Sequence, residues 1–184
     1  LEFRRVLFRS KDTNFIKLLS KYDNVDFNFT YKNNENIVHY LLHRDYSDVA
    51  LELLENKKIS NFFTISNDNK QLLNIAIEKK YNEIIELVTS EIVFEDHFNN
   101  SLIFDSIRFD NFSAFETLYP YFDIDQIDTL FEFAIQHKNT SVINHIINNG
   151  DILLGKEQIK QILPIVAEIN ENKEKQEASN EIID

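Results

Sequence analysis

The stretch NIVHYLLHRDYSDVALELL, residues 36–54, sets an apolar triplet, Val38, Leu41 and Leu42, ahead of an apolar quartet, Val49, Ala50, Leu53 and Leu54. The same register returns three times. Leu73, Ala76 and Ile77 precede Ile84, Ile85, Val88 and Thr89; Ile103, Ser106 and Ile107 precede Ala114, Phe115, Leu118 and Tyr119; Phe131, Ala134 and Ile135 precede Val142, Ile143, Ile146 and Ile147. Spacings of three and four residues put each group on one face of a helix. Helices this short do not hold alone in water, so each pair must bury its face against its neighbours. The units open at Asn36, Gln71, Ser101 and Thr129, with periods of 35, 30 and 28 residues, in the range of stacked helical repeats.

With this pattern the chain resembles the ankyrin-repeat family, whose unit opens Thr-Pro-Leu-His, sets an Ala two residues after the His and continues into an Ile-Val-x-x-Leu-Leu second helix. Asn36-Ile37-Val38-His39 keeps the His, Gln71-Leu72-Leu73-Asn74 keeps an amide in its place, and Ala76 and Ala134 occupy the small-residue position. Ser101-Leu102-Ile103-Phe104 and Thr129-Leu130-Phe131-Glu132 lack the His, and none of the four has the Pro. Where the family ends its first helix with Gly, this chain has Asp45, Lys80, Asp110 and Lys138. The resemblance implies an all-α, ankyrin-like helical-repeat solenoid of paired antiparallel helices, with short or absent β-hairpin fingers in the later repeats.

Residues 1–10, Leu-Glu-Phe-Arg-Arg-Val-Leu-Phe-Arg-Ser, resemble the in-frame translation of a common sequencing-library adapter. Composition agrees, since Arg4, Arg5 and Arg9 fall there and only Arg44 and Arg108 occur elsewhere. We read this segment as an artefact that has overwritten half a repeat, because Phe15, Ile16 and Leu19 fit a second helix whose partner should start near residue 2. A basic anchor or targeting arm read from it is discarded with it. The repeat domain is expected over 11–168, with partial repeats at both ends, and an acidic polar tail or linker over 169–184. Within it, Asp23 to Phe29 resembles the extended loop between ankyrin repeats, and Glu157 to Glu168 reads as a further helix pair or a C-terminal cap that Pro164 can bend. The chain has no Met, which predicts a segment of a longer protein.

The net charge of −12 becomes −14 without residues 1–10, which hold three Arg against one Glu. Such a surface repels phosphate backbones and anionic membranes, so neither nucleic acid nor membrane is expected as a partner, and a protein with a basic patch is. No apolar run approaches the roughly 20 residues of a membrane span. With no Cys there is no disulfide framework, and an intracellular, cytoplasmic, monomeric protein is expected.

Several motifs imitate chemical sites. Gly150 to Glu157 has the GxxxxGK spacing of a phosphate loop, but Glu157 stands where Ser or Thr would hold Mg²⁺ and a helix precedes it. Gly150 is expected instead to end a helix in the left-handed conformation. His39 and His43 could offer two zinc ligands, yet there is no Cys and no third ligand is at hand. Asp123 and Asp125 imitate the start of a calcium loop, which Gln126, Ile127 and Asp128 break, Asp128 standing where the sixth-position Gly belongs; Asp128 or Thr129 is expected to cap the next helix. Asn-x-Ser/Thr triplets at Asn28, Asn99, Asn111 and Asn139 are the chance yield of an Asn-rich chain. Neither a cofactor nor a catalytic cluster is expected.

What remains is surface shape. In the ankyrin register the exposed side of the first helices lines a concave groove, with Tyr40, His43 and Arg44, then Ile75 and Lys79, then Arg108 and Phe109, then Phe133 and His137 as candidate partner-binding residues. Tyr40, Ile75, Phe109 and Phe133 are its expected anchors, since aromatic and apolar groups lose most surface on binding. The expected function is a non-enzymatic protein-interaction scaffold. The alternative is the recognition arm of a multidomain enzyme, of kinase or ubiquitin-ligase type, with its catalytic domain elsewhere.

Overall fold

The structure, a computed structural model, describes residues 13–22, 25–28, 30, 35–56, 58, 72–91 and 100–167. The adapter-like residues 1–10, the start of the second repeat at Gln71 and the tail over 169–184 lie outside them. Among the described residues the chain is all-helical and has no strand. Residues up to Phe122 form one compact unit and those from Asp123 a second.

The first unit contains α1 (Thr13–Ser20) and three packed pairs: α2 (Ile37–His43) with α3 (Ser47–Glu55), α4 (Leu72–Glu78) with α5 (Asn82–Glu91), and α6 (Ser101–Arg108) with α7 (Phe112–Leu118). First helices pack on first helices, α2 on α4 and α4 on α6; second helices do the same, α1 on α3, α3 on α5 and α5 on α7. The apolar triplets and quartets are the contact surface. Val38, Leu41, Leu42, Leu73, Ala76, Ile77, Ile103 and Ile107 are buried, as are Val49, Ala50, Ile84, Ile85, Ala114 and Phe115. The two polar members have their hydroxyls satisfied within their own helices, Ser106 on the Ile103 carbonyl at 2.6 Å and Thr89 on the Ile85 carbonyl at 2.9 Å. In the second unit α8 (Ile127–Gln136) packs on α9 (Thr140–Asn149), and α10 covers 156–167.

Every pair turns in the same way. Asp45, Lys80, Asp110 and Lys138 have φ of 62°, 60°, 50° and 52°, and they are the only described non-glycine residues in that region. In each turn the residue at positive φ donates its N–H to the carbonyl three back, and the next residue donates to the carbonyl five back. Thus Asp45 bonds Leu42 at 3.2 Å and Tyr46 bonds Leu41 at 3.0 Å; the last turn repeats this with Lys138 on Ile135 at 3.0 Å and Asn139 on Ala134 at 2.9 Å. Those two bonds form a Schellman motif, which consumes carbonyls the helix end would leave unpaired. Glycine is usual at its left-handed position because a Cβ there costs about 1–2 kcal/mol.

The second helices start where these turns finish. Asn111 accepts from the Ala114 N–H at 3.2 Å and Asn139 from the Val142 N–H at 3.2 Å, so each caps the helix it precedes. Both Asn side chains are buried, which removes two of the four glycosylation triplets from solvent. At the front of α2, Asn36 accepts from the N–H groups of Val38 and His39.

Some expectations are corrected. Helix α8 begins at Ile127, not after an Asp128 or Thr129 cap, because Asp123 caps a 3₁₀ turn over Ile124–Gln126 that leads directly into it. The connection between the third and fourth pairs is two 3₁₀ turns, Tyr119–Tyr121 and Ile124–Gln126; those after the first and second pairs lie mostly outside the described residues. Gly150 adopts φ 72° and ends α9 in the left-handed conformation, as read from the sequence. The Gly155 N–H donates to Gln158 Oε1 at 2.7 Å, so the phosphate-loop imitation is a pair of helix ends.

Two outcomes are expected. Lys138→Gly should raise stability to urea by roughly 0.5–1 kcal/mol while Lys138→Val lowers it, since only the first relieves the left-handed strain; equal losses in both variants would contradict the strain. Ala76→Glu, at a position with no exposure, should abolish cooperative unfolding of the first unit through overpacking and a buried charge, as followed by circular dichroism in urea.

Candidate partner-binding face

The candidate residues sit at the C-terminal ends of the first helices and in the turns just described. On α2, Tyr40 is half-buried and the Arg44 guanidinium lies 4.7 Å from its ring centre, a cation–π contact that fixes both side chains. His43, half-exposed, has its Nε2 4.0 Å from Glu35 Oε1. On α6, Arg108 is exposed and pairs with Asp105, whose other oxygen accepts from Asn74 Nδ2 of α4 at 2.7 Å. Phe109 is half-buried as the C-cap of α6. In the second unit the Phe133 and His137 rings lie 4.3 Å apart, His137 exposed and Phe133 half-buried. The only two arginines outside residues 1–10, Arg44 and Arg108, therefore both stand at first-helix ends, where a cation also complements the helix dipole.

Ile75 does not belong to this face. It is 1% exposed, while the equivalent positions carry Tyr40, Asp105 and Phe133, all half-buried. A short aliphatic side chain on α4, which is flanked by α2 and α6, is covered where a longer or polar one reaches the surface. Ile75 is a core residue, not an anchor.

Lys79 is placed on this side, but its ammonium is engaged. Its Nζ donates to the His43 carbonyl at 3.2 Å and to Asp45 Oδ1 at 2.6 Å, and Tyr81 Oη donates to the same oxygen at 2.7 Å. Lys80 Nζ donates to the Asp110 carbonyl at 2.7 Å, and Asn111 Nδ2 to the Ile77 carbonyl at 3.1 Å. The left-handed turns of the first unit are thus cross-linked, first to second by Asp45 and second to third by Lys80 and Asn111. Sequence reasoning missed this ladder. The signal was present in the four non-glycine residues at the turn position, but their partners lie 30 to 36 residues away.

The electrostatics follow from the geometry. The hydrogen bond from Lys79, then that from Tyr81, holds the Asp45 carboxyl below its ordinary 3.8. Partial burial, with Asp45 beside it, pushes the Tyr81 phenol up to about 12. On the opposite layer the bond from Lys17 at 2.7 Å lowers Asp48 in the same way.

His39 is fully buried with its Nδ1 2.8 Å from Asn36 Oδ1. That oxygen already accepts two backbone N–H groups, so the facing ring nitrogen must carry the proton. The two imidazoles of α2 thus have separate surroundings, and among the described residues no group of three His, Asp or Glu could hold a metal. Asp123 likewise spends its oxygens locally, on the Asp125 N–H and on Gln126 Nε2. A cleft of about 380 Å³ opens between the N-terminal ends of α3 and α5, walled by Leu51, Tyr81 and Ile84 among others. No described helix is long and apolar enough to cross a membrane.

Comparison with protein-family models, with curated proteins and with solved structures finds no match.

The Asp45 bond sets a pH dependence with a definite sign. A carboxyl lowered in the folded state stabilises it above 3.8 and loses that contribution as pH falls through the lowered value. Asp45→Asn keeps a residue tolerant of positive φ but removes the titration. Its thermal midpoint should therefore drop less than that of the unaltered chain between pH 6 and pH 3, and equal drops would show that the ladder is not coupled to folding.

Proposed function

We propose that the chain is an ankyrin-like repeat solenoid serving as a non-enzymatic protein-interaction scaffold, which binds a partner through the first-helix ends of its repeats. The observation that carries this reading is the recurrence of one turn, with its left-handed residue and two closing hydrogen bonds, after every first helix of the four pairs. A repeated turn of one geometry presents side chains at regular intervals, the arrangement by which repeat proteins build extended binding surfaces.

The side chains so presented suit recognition. Arg44 is held against Tyr40 and Arg108 against Asp105, so a partner meets planar guanidinium groups whose ordering is already partly achieved. Phe109, half-buried at the edge of α6, supplies apolar area. The overall charge of −12 steers a partner with a basic patch toward the chain, while the two arginines select acceptors within the contact.

Selection of binding peptides from a displayed library on the folded chain, followed by amide shift mapping, tests the face. Shifts should cluster on Tyr40, Arg44, Arg108 and Phe109, and clustering on α3, α5 and α7 would refute the proposal. Phe109→Ala should weaken the selected peptide at least tenfold. It should cost less than about 1.5 kcal/mol of stability, against the roughly 3–5 kcal/mol of truncating a fully buried Phe such as Phe115.

A further inference from the structure

Asn149 is the last residue of α9, and Gly150 follows it in the left-handed conformation. The chain has two glycines, and this is the one that an asparagine precedes. Such a pair has a chemistry of its own. The glycine nitrogen can close a five-membered ring on the asparagine side-chain carbonyl, and with no Cβ on the glycine nothing shields that nitrogen. In a folded protein the pair is kept inert by burial, by a hydrogen-bonded side-chain amide, or by a backbone held on both sides.

None of the three protects Asn149. Both residues are exposed, and the Asn149 side chain makes no hydrogen bond among the described residues. The Gly150 N–H is held by one bond, to the Ile147 carbonyl at 3.1 Å, at a helix end where fraying is ordinary. Nothing lies within 4 Å of where a Cβ would stand on Gly150. Residues 151–155 have no regular structure and Leu153 is 96% exposed, so the chain beyond Gly150 can follow a rotation about the Asn149 Cα–C bond. The other asparagines of this helix differ. Asn139 is buried, with its oxygen on the Val142 N–H. Asn144 and Asn148 are exposed, but they precede His145 and Asn149, whose side chains crowd the attacking nitrogen.

We propose that the Asn149–Gly150 bond is a site of spontaneous covalent modification in the folded chain, where the asparagine becomes an aspartyl or isoaspartyl residue. The Gly150 nitrogen gives its proton to hydroxide and attacks Asn149 Cγ. A bond from that nitrogen to Cγ closes a succinimide, the Cγ–Nδ2 bond breaks, and the side-chain nitrogen leaves as ammonia after taking a proton from water. Water then opens the ring at one carbonyl or the other; nothing is oxidised or reduced. Either product sets a carboxylate at the C-terminal end of α9, where the helix dipole opposes it. The isoaspartyl form also lengthens the main chain by one carbon, so the left-handed cap at Gly150 no longer fits. The contacts of α9 on α8 through Val142, Ile143 and Ile146 lie upstream, so the helix loses its end and keeps its packing.

Peptide mapping by mass spectrometry, on the full chain stored in mildly alkaline buffer, tests this. Conversion at Asn149 should be at least tenfold faster than at Asn144 or Asn148, and no slower than a tenth of its rate in the urea-unfolded chain. Both products are expected. Hydroxylamine, which cuts a chain at a succinimide, should yield pieces of 149 and 35 residues from the 184. Gly150→Ala should slow the conversion at least tenfold. Equal rates at the three asparagines, a folded chain converting below a tenth of the unfolded rate, or indifference to Gly150→Ala overturns the proposal. A single aspartyl product without hydroxylamine cleavage would mean direct hydrolysis with no ring, and overturns it equally.

Discussion

The bond from the second turn residue back to the carbonyl five residues earlier, made by Tyr46, Tyr81, Asn111 and Asn139 at 2.8 to 3.0 Å, is what the rest of the structure depends on. It closes the first helix, and it can form only if the residue before it enters the left-handed region. The next helix begins one residue later, so the bond also fixes where the quartet lies relative to the triplet. The constant offset of eleven residues in the sequence is the trace of that geometry. Without it the apolar faces of a pair would not meet, and helices of seven to ten residues would not persist.

Side chains then link one turn to the next. Asn111 joins both levels, since its Oδ1 starts α7 while its Nδ2 holds the Ile77 carbonyl of the preceding pair. Its burial makes the two bonds matter more than surface bonds would, because losing either leaves a polar atom without water. The Asp45 carboxylate, with Lys79 and Tyr81, performs the same linkage at a more exposed site. There screening limits the Coulombic part, and the specific geometry of two donors on one oxygen is the larger effect. The non-glycine residues at the left-handed positions thus have a use that offsets their backbone cost: Asp45 and Lys80 contribute side chains to the ladder where glycine could not.

The helix pairs were legible in the sequence because burial imposes a pattern on residues close in the chain. The triplet around Leu41 and the quartet around Leu53 can be read without tertiary information, as can the helix end at Gly150. The partners of the turn residues could not be read, since the Asp45 to Tyr81 bond spans 36 residues and no local periodicity encodes it. The start of α8 was misplaced because Asp123, not Asp128, found a backbone N–H to cap. Ile75 falls outside the candidate face for a related reason: helical spacing gives the direction of a side chain, but the flanking helices decide whether that direction ends in solvent. Tyr40, Arg44, Arg108 and Phe109 keep their places at the surface because length or charge carries them beyond their neighbours.

Backbone φ at Asp45, Lys80, Asp110 and Lys138, measured by NMR couplings and chemical shifts on the labelled chain, tests this account most directly. Positive φ at all four is predicted. Negative φ at any two would mean that the helices end by other turns, and the shared register of the pairs would then lack its physical cause.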